Sequence, residues 1–354
     1  MTNLDLLLVD ANEFRSTQEH QTIELYTLSN SNGMTVQFTN LGARIVSLIV
    51  PDSENNPTDV VVGMKSAEEY LFEEEPYYGA IIGPFTGRIS NAQFEINQTT
   101  YQLIANNGEN TLHGGPKGLH FAIWSAEVAL NKIIFKYNYP HLHEGFPGPI
   151  YFEIHYTLTD QNELILEYIG EAERETIINL TNHSYFNLNG AGNGTILDHE
   201  LQINSNQITT LKSDYSQSGE FLEVKNTPFD FNQFKKIGQS IDSEHEQLMY
   251  GNGYDHFYVL KDTFDDTLRH VATLKGNLSG IQLEVYTTAQ GVLLYTGNFM
   301  SDKITLKNGL TDSFRSAVCL ETQNFADAVN QLSFPNKTYH SEEKYYSKTI
   351  FAFQ

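Results

Sequence analysis

Several polar clusters in this chain combine side chains that could move protons or hold hydroxyl groups. The densest is Thr181-Asn182-His183-Ser184-Tyr185-Phe186-Asn187-Leu188, entered from the apolar, β-prone run Thr176-Ile177-Ile178-Asn179-Leu180. A solvated loop has no use for the two aromatics, and a dry core rejects so many unpaired polar groups. Two readings fit it: the floor of a pocket that hydrogen-bonds a small polar ligand under an aromatic, or a polar core network around a structural His. Glu321, in Val318-Cys319-Leu320-Glu321-Thr322-Gln323, follows an apolar run where alternation makes one face dry. Burial there raises a carboxyl pKa toward the range of a general base, although a single Glu is more often salt-bridged or at a strand edge.

Three further clusters suit ligand binding more than proton transfer. Arg88 lies in Gly87-Arg88-Ile89-Ser90-Asn91 after Tyr77-Tyr78-Gly79, where a guanidinium can fork onto hydroxyls or a carboxylate, or simply clamp the fold. His113 precedes Gly114-Gly115, which would let backbone approach a ligand, and Trp124 is nearby. Asp255, in Gly253-Tyr254-Asp255-His256, can bridge neighbouring sugar hydroxyls or merely shape a turn. Metal chemistry finds little support. His141-Leu142-His143-Glu144 lacks a partner cluster at zinc spacing, and no His-Glu-x-x-His, phosphate loop or Gly-x-Ser-x-Gly elbow occurs. Metal-free acid–base chemistry by His and Glu remains.

The elements that must position these residues are strands. Thr22–Leu28 alternates with period two, Asn32-Gly33 turns, and Met34–Phe38 follows. Similar patterns predict strands at Arg44–Val50, Val60–Gly63, Lys132–Tyr139, Tyr151–Leu158, Glu163–Tyr168, Glu200–Ile203, Phe257–Leu260, Gln282–Tyr286 and Val292–Thr296. Only Ser66–Glu74, capped by Ser66, and Asp242–Met249 suggest short helices. With no repeat, low-complexity tract or linker, the expectation is one all-β domain over residues 1–354, a large antiparallel β-sandwich, with 1–18 a loosely attached arm.

Totals narrow the partners. The chain has 354 residues, with 21 basic against 44 acidic side chains and a net charge of −23, which disfavours nucleic acid and anionic membranes. A phosphorylated or carboxylated substrate would want an arginine clamp, so a small neutral substrate is expected. The lone Cys319 excludes a disulfide framework. Leu6-Leu7-Leu8-Val9 is too short for a signal or membrane segment and no basic stretch precedes it, so the expected location is the cytoplasm.

Taken in order, the clusters resemble the aldose 1-epimerase (mutarotase) family over roughly residues 20 to 350. The resemblance rests on Leu112-His113-Gly114-Gly115 with Trp124, Glu144-Gly145-Phe146-Pro147-Gly148, Thr181 to Leu188, Tyr254-Asp255-His256, Thr287-Thr288 with Gly291 and Tyr295-Thr296-Gly297-Asn298-Phe299, and Leu320-Glu321-Thr322-Gln323. It implies a galactose mutarotase-like supersandwich with an open carbohydrate cleft, no cofactor, and a monomer or homodimer. By position Glu321 looks like the general base and His183, protonated near neutral pH, like the general acid. Arg88, His113 and Asp255 look like the groups that hold sugar hydroxyls and the ring oxygen.

Departures from the family pattern fall around the cleft. Gln290 and Ala326 replace prolines, Leu293 replaces a Gln, Ala92 an Arg, and Leu119-His120-Phe121 a Phe-Asp-Lys. They bear on which sugar fits: galactose, glucose, or the reducing end of a disaccharide such as maltose. A non-catalytic sugar-binding module and a glycoside hydrolase using Asp255 and Glu321 are the readings from other classes.

Overall fold

Strands hold the chain together in the computed structural model, which describes residues 4–18, 20–72, 75–260 and 267–354. A nine-stranded antiparallel sheet runs in the order Ser125–Val128, Lys132–Tyr139, Ile150–Leu158, Glu163–Ala172, Tyr345–Phe353, Gln282–Thr287, Arg269–Lys275, Glu200–Ile203, Lys235–Lys236. Facing it are a five-stranded sheet (Gln217–Glu223, Gln207–Leu211, Asp255–Val259, Gly291–Tyr295, Cys319–Gln323) and a four-stranded one (Leu25–Ser29, Thr35–Thr39, Arg44–Pro51, Pro57–Asp59). This is the expected β-sandwich.

Period-two burial builds the layers. Along Ile150–Leu158 every second side chain is buried, and the same holds for most of Glu163–Ala172. Those inward residues meet the opposing sheets: Phe38 packs on Tyr156 with ring centroids 4.7 Å apart, and Phe186 on Phe351 at 5.3 Å. One continuous core joins Phe135, Ile154, Leu166 and Phe351 to Val36, Leu48, Leu294 and Leu320. Each fully buried Leu, Ile or Phe contributes about 1.5–3 kcal/mol.

Several sequence expectations shift in detail. The run Thr22–Leu28 splits into Gln21–Ile23 and Leu25–Ser29, because the Glu24 N–H donates to Asn40 Oδ1 (2.8 Å) instead of a ladder. Val60–Gly63 is buried but forms only a bridge, Val61 with Phe186; the strand falls on Pro57–Asp59. The first helix is Ala67–Phe72, with Ser66 Oγ accepting from the Glu69 N–H (3.2 Å); Glu73 and Glu74 lie outside the described residues. The second is Glu246–Gly251, capped by the His245 ring. At the N-terminal end, Phe14 is fully buried and Gln37 exchanges two hydrogen bonds with Val9, so this segment is anchored to the sheet. No helix among the described residues is long and apolar enough to cross a membrane.

One close approach fixes the loop leading to the site. Gly79 has φ +69°, its N–H donates to the His183 carbonyl (2.9 Å), and its own carbonyl accepts from Asn182 Nδ2 (2.9 Å). A Cβ there would stand 1.9 Å from the Ile45 carbonyl oxygen. Gly79→Ala is therefore expected to destabilise the fold by about 2–4 kcal/mol through backbone displacement. Urea unfolding of the variant measures it, and an unchanged midpoint would contradict this account.

Candidate active site

The five-stranded sheet presents one face to a cleft. Register pairs Asp255 with Tyr295, Leu293 with Glu321, and Gly291 with Gln323, so these alternate residues stand on the same side. Leu294, Leu320 and Tyr258 point the other way, into the core. The dry face that alternation predicted is thus the core face, and Glu321 occupies the opposite one. It is nevertheless only 2 % exposed, because the rest of the cleft closes over it.

Loops from the other sheets complete the walls. Thr181–Asn182 pairs with Ile81–Ile82 and delivers His183, whose backbone N–H donates to the Ala80 carbonyl. The imidazole lies between two nearly parallel rings, Tyr185 at 4.9 Å and Tyr77 at 5.9 Å. Arg88 and Leu112 are partners in a two-stranded ladder, which sets Arg88 beside His113. All five residues singled out from the sequence, Arg88, His113, His183, Asp255 and Glu321, line one open cleft with about 560 Å³ of empty space. Glu75, Tyr77, Tyr185, Tyr295, Phe299 and Gln323 join them.

His183 Nε2 approaches Glu321 Oε1 to 3.4 Å. Burial raises the Glu321 carboxyl well above its ordinary range, reinforced by the nearby Asp255 and Glu75 charges. Burial also lowers the His183 imidazole to about 3, against the expectation of a His protonated near neutral pH, and only a backbone hydrogen bond opposes that desolvation. Burial thus favours the uncharged forms of both groups, carboxyl and neutral imidazole. Glu321 Oε2, His183 Nδ1 and Gln323 Nε2 are buried without hydrogen-bond partners among the described residues.

The binding residues are poised differently. His113, at φ +54°, accepts at Nδ1 from the Gly87 N–H (3.3 Å), and burial holds its pKa well below the usual value. A neutral ring that accepts at Nδ1 carries its proton on Nε2, as a donor. Arg88 Nε donates to Asn107 Oδ1 (2.9 Å), and its guanidinium lies 5.0 Å from the Tyr215 ring centroid. Asp255 is raised to about 6 by burial, with Arg88 opposing that rise.

Other expectations are redistributed. Gly114 and Gly115 serve protein contacts rather than ligand approach: a Cβ would meet the Gly83 carbonyl oxygen at 2.1 Å or Glu144 Oε2 at 2.4 Å. Trp124 is core, 1 % exposed and outside the cleft lining. His141 and His143 hold backbone groups, the Gly148 N–H and the Lys117 carbonyl. Around His183 both readings of the central stretch apply. His183 and Tyr185 face the cleft, while Asn182, Ser184 and Asn187 bond one another or backbone carbonyls. Glu75 escapes notice in the sequence because it closes an acidic run that looks like a solvated face; the Pro76-Tyr77-Tyr78-Gly79 stretch after it is the available signal.

The cleft of this β-sandwich gathers a His–Glu pair with Arg88, His113 and Asp255. Comparison with known proteins identifies the family. The aldose 1-epimerase family model matches residues 24–352. Galactose mutarotase of Bos taurus is 37% identical over 332 residues, 94% of each chain, and the human galactose mutarotase is 37% identical over 336 residues, again 94% of each. An aldose 1-epimerase of Escherichia coli is 30% identical, covering 89% of this chain and 90% of its own. The structure of an aldose epimerase homologue from C. elegans superposes with a TM-score of 0.85 at 24% identity, over 93% of this chain and 98% of that one. The chain belongs to the aldose 1-epimerase family: it is an isomerase that interconverts the α and β anomers of aldoses.

Proposed function

We propose that the substrate is galactose or glucose, with Glu321 as general base and His183 as general acid. In this reading Arg88, His113 and Asp255 hold the ring oxygen and hydroxyls, and the chain works as one domain in the cytoplasm. The observation that carries the assignment is the 3.4 Å approach of His183 Nε2 to Glu321 Oε1 in a cleft lined by hydroxyl-binding groups.

Anomer exchange opens a hemiacetal: the C1 hydroxyl loses a proton while the ring oxygen gains one. Glu321 takes the first proton and His183 supplies the second. Opening thus converts a carboxylate and an imidazolium into a carboxyl and a neutral imidazole. The two states hold the same number of protons, one for the pair. Burial favours the second state in the empty cleft, which matches the open-chain stage. A bound sugar must bring the proton onto His183. The C1 hydroxyl does so by donating to Glu321 and favouring its carboxylate form. After rotation about C1–C2 the carbonyl shows its other face, the ring closes, and both protons return.

Polarimetry of freshly dissolved α-D-galactose and α-D-glucose tests the substrate. Decay well above the buffer rate with either sugar supports the assignment, and the ratio of the two sets the preference. Decay no faster than buffer for both would overturn it.

A further inference from the structure

Glu75 is a third carboxylate in the cleft, and the proton pathway above gives it no task. It lines the same cleft as Tyr77, His183, Tyr185, Asp255, Tyr295 and Glu321. One oxygen, Oε1, accepts from the Tyr77 N–H (3.1 Å), which fixes the side chain relative to the ring stacked on His183. The second oxygen has no protein donor among the described residues. Burial pushes the Glu75 carboxyl up to about 7, a rise that the Arg44 charge opposes, and no ion pair to Glu75 occurs among the described residues. Nearby Arg44 is spent on the carbonyls of Leu41, Pro76, Tyr78 and His120. Arg88 is the one lysine or arginine among the described residues that line the cleft.

An unpaired carboxylate in a part-buried cleft costs stability. It also repels the Glu321 carboxylate that catalysis needs. Both costs are offset when a ligand brings hydroxyl donors. The ionised form of Glu75, which a donated hydrogen bond favours, is acceptor-only and so selects a group that can donate. We propose that the free oxygen of Glu75 accepts a hydrogen bond from an aldose hydroxyl other than the one on C1, making Glu75 a specificity-determining residue. The proposal rests on the aldose reading above. It assigns Glu75 the recognition of one sugar position and leaves proton transfer to Glu321 and His183.

The test uses the full chain as wild type and Glu75→Gln. The substituted amide oxygen can still accept from Tyr77, so the loop stays anchored while the charge-assisted bond to the sugar is lost. Mutarotation would be followed with galactose and with its 2-, 3-, 4- and 6-deoxy derivatives. For galactose, Glu75→Gln should lower kcat/KM by about tenfold or more, mostly through KM. With one deoxy sugar, the one lacking the hydroxyl that Glu75 meets, the variant and wild type should agree within about twofold.

An equal loss across the whole series, with a shifted pH profile, would assign Glu75 a purely electrostatic effect on Glu321 and overturn the proposal. Unchanged kinetics throughout would overturn it as well. If Glu75→Gln does not fold, Glu75→Asp, which keeps the charge and shortens the reach, must show the same selective loss. Wild type that accelerates no sugar would take down the aldose reading and this inference together, whereas active wild type with a flat series removes only the inference.

Discussion

Glu321→Gln is expected to lower the catalysed rate of galactose mutarotation by about 10²–10⁴-fold. The amide preserves shape and can keep the approach to His183, but it cannot accept the C1 proton. KM should change little, since the loss falls on a transition-state interaction. A rate within a few fold of wild type would remove Glu321 from the role of base. Stability should move the other way. A carboxyl whose folded pKa is raised binds its proton more tightly in the folded state, so it withdraws stability as pH rises above the ordinary carboxylate value. Glu321→Gln removes that penalty. The variant should resist urea at least as well as wild type at neutral pH and better at alkaline pH, as strained functional sites generally trade stability for activity.

His183→Asn should depress turnover by a similar factor, about 10²–10⁴-fold, with a different pH signature. In wild type, burial lowers the imidazole to about 3. Protonation of the free enzyme by a second proton therefore falls well below the usual imidazole range. The acid limb of kcat/KM should lie correspondingly low, and the limb contributed by loss of the shared proton should lie well above the ordinary carboxylate range. Polarimetric initial rates across pH measure both. An acid limb at the ordinary imidazole value would show that His183 is solvated when sugar arrives, contrary to the stack of Tyr77 and Tyr185 around it. An unaffected rate in a folded His183→Asn variant would assign the acid elsewhere.

Much of this was readable from residue types and spacing, and what escaped has physical reasons. The long strands at 132–139 and 151–158 announced themselves because one face is buried and one wet. The central strand Tyr345–Phe353 was missed although Tyr345, Ser347, Thr349, Phe351 and Phe353 alternate inward; hydroxyls at those positions disguise an apolar face. Val60–Gly63 looks like a strand because it is buried, yet its backbone bonds are divided among Leu48, Tyr185, Asn187 and Lys307 rather than one ladder. For the site, motif order located Arg88, His113, His183, Asp255 and Glu321. It could not reveal that the cleft is dry enough to strip His183 of its charge, because desolvation is a property of the assembled walls. Glu75 was hidden for the same reason: in a row of acidic residues, only the packing tells which one turns inward.

The place of Tyr345–Phe353 also governs when the molecule can be finished. It pairs with Glu163–Ala172 on one side and Gln282–Thr287 on the other, so it is the seam of the large sheet. Both neighbours leave the ribosome before it. At about 5–20 residues per second, the first of them waits on the order of ten seconds or more for its partner. The nascent chain carries one bare strand edge until Gln282–Thr287 is made and two thereafter, each able to recruit a strand from another polysome-bound copy. A chaperone that shields those edges would have to act before the seam is sewn.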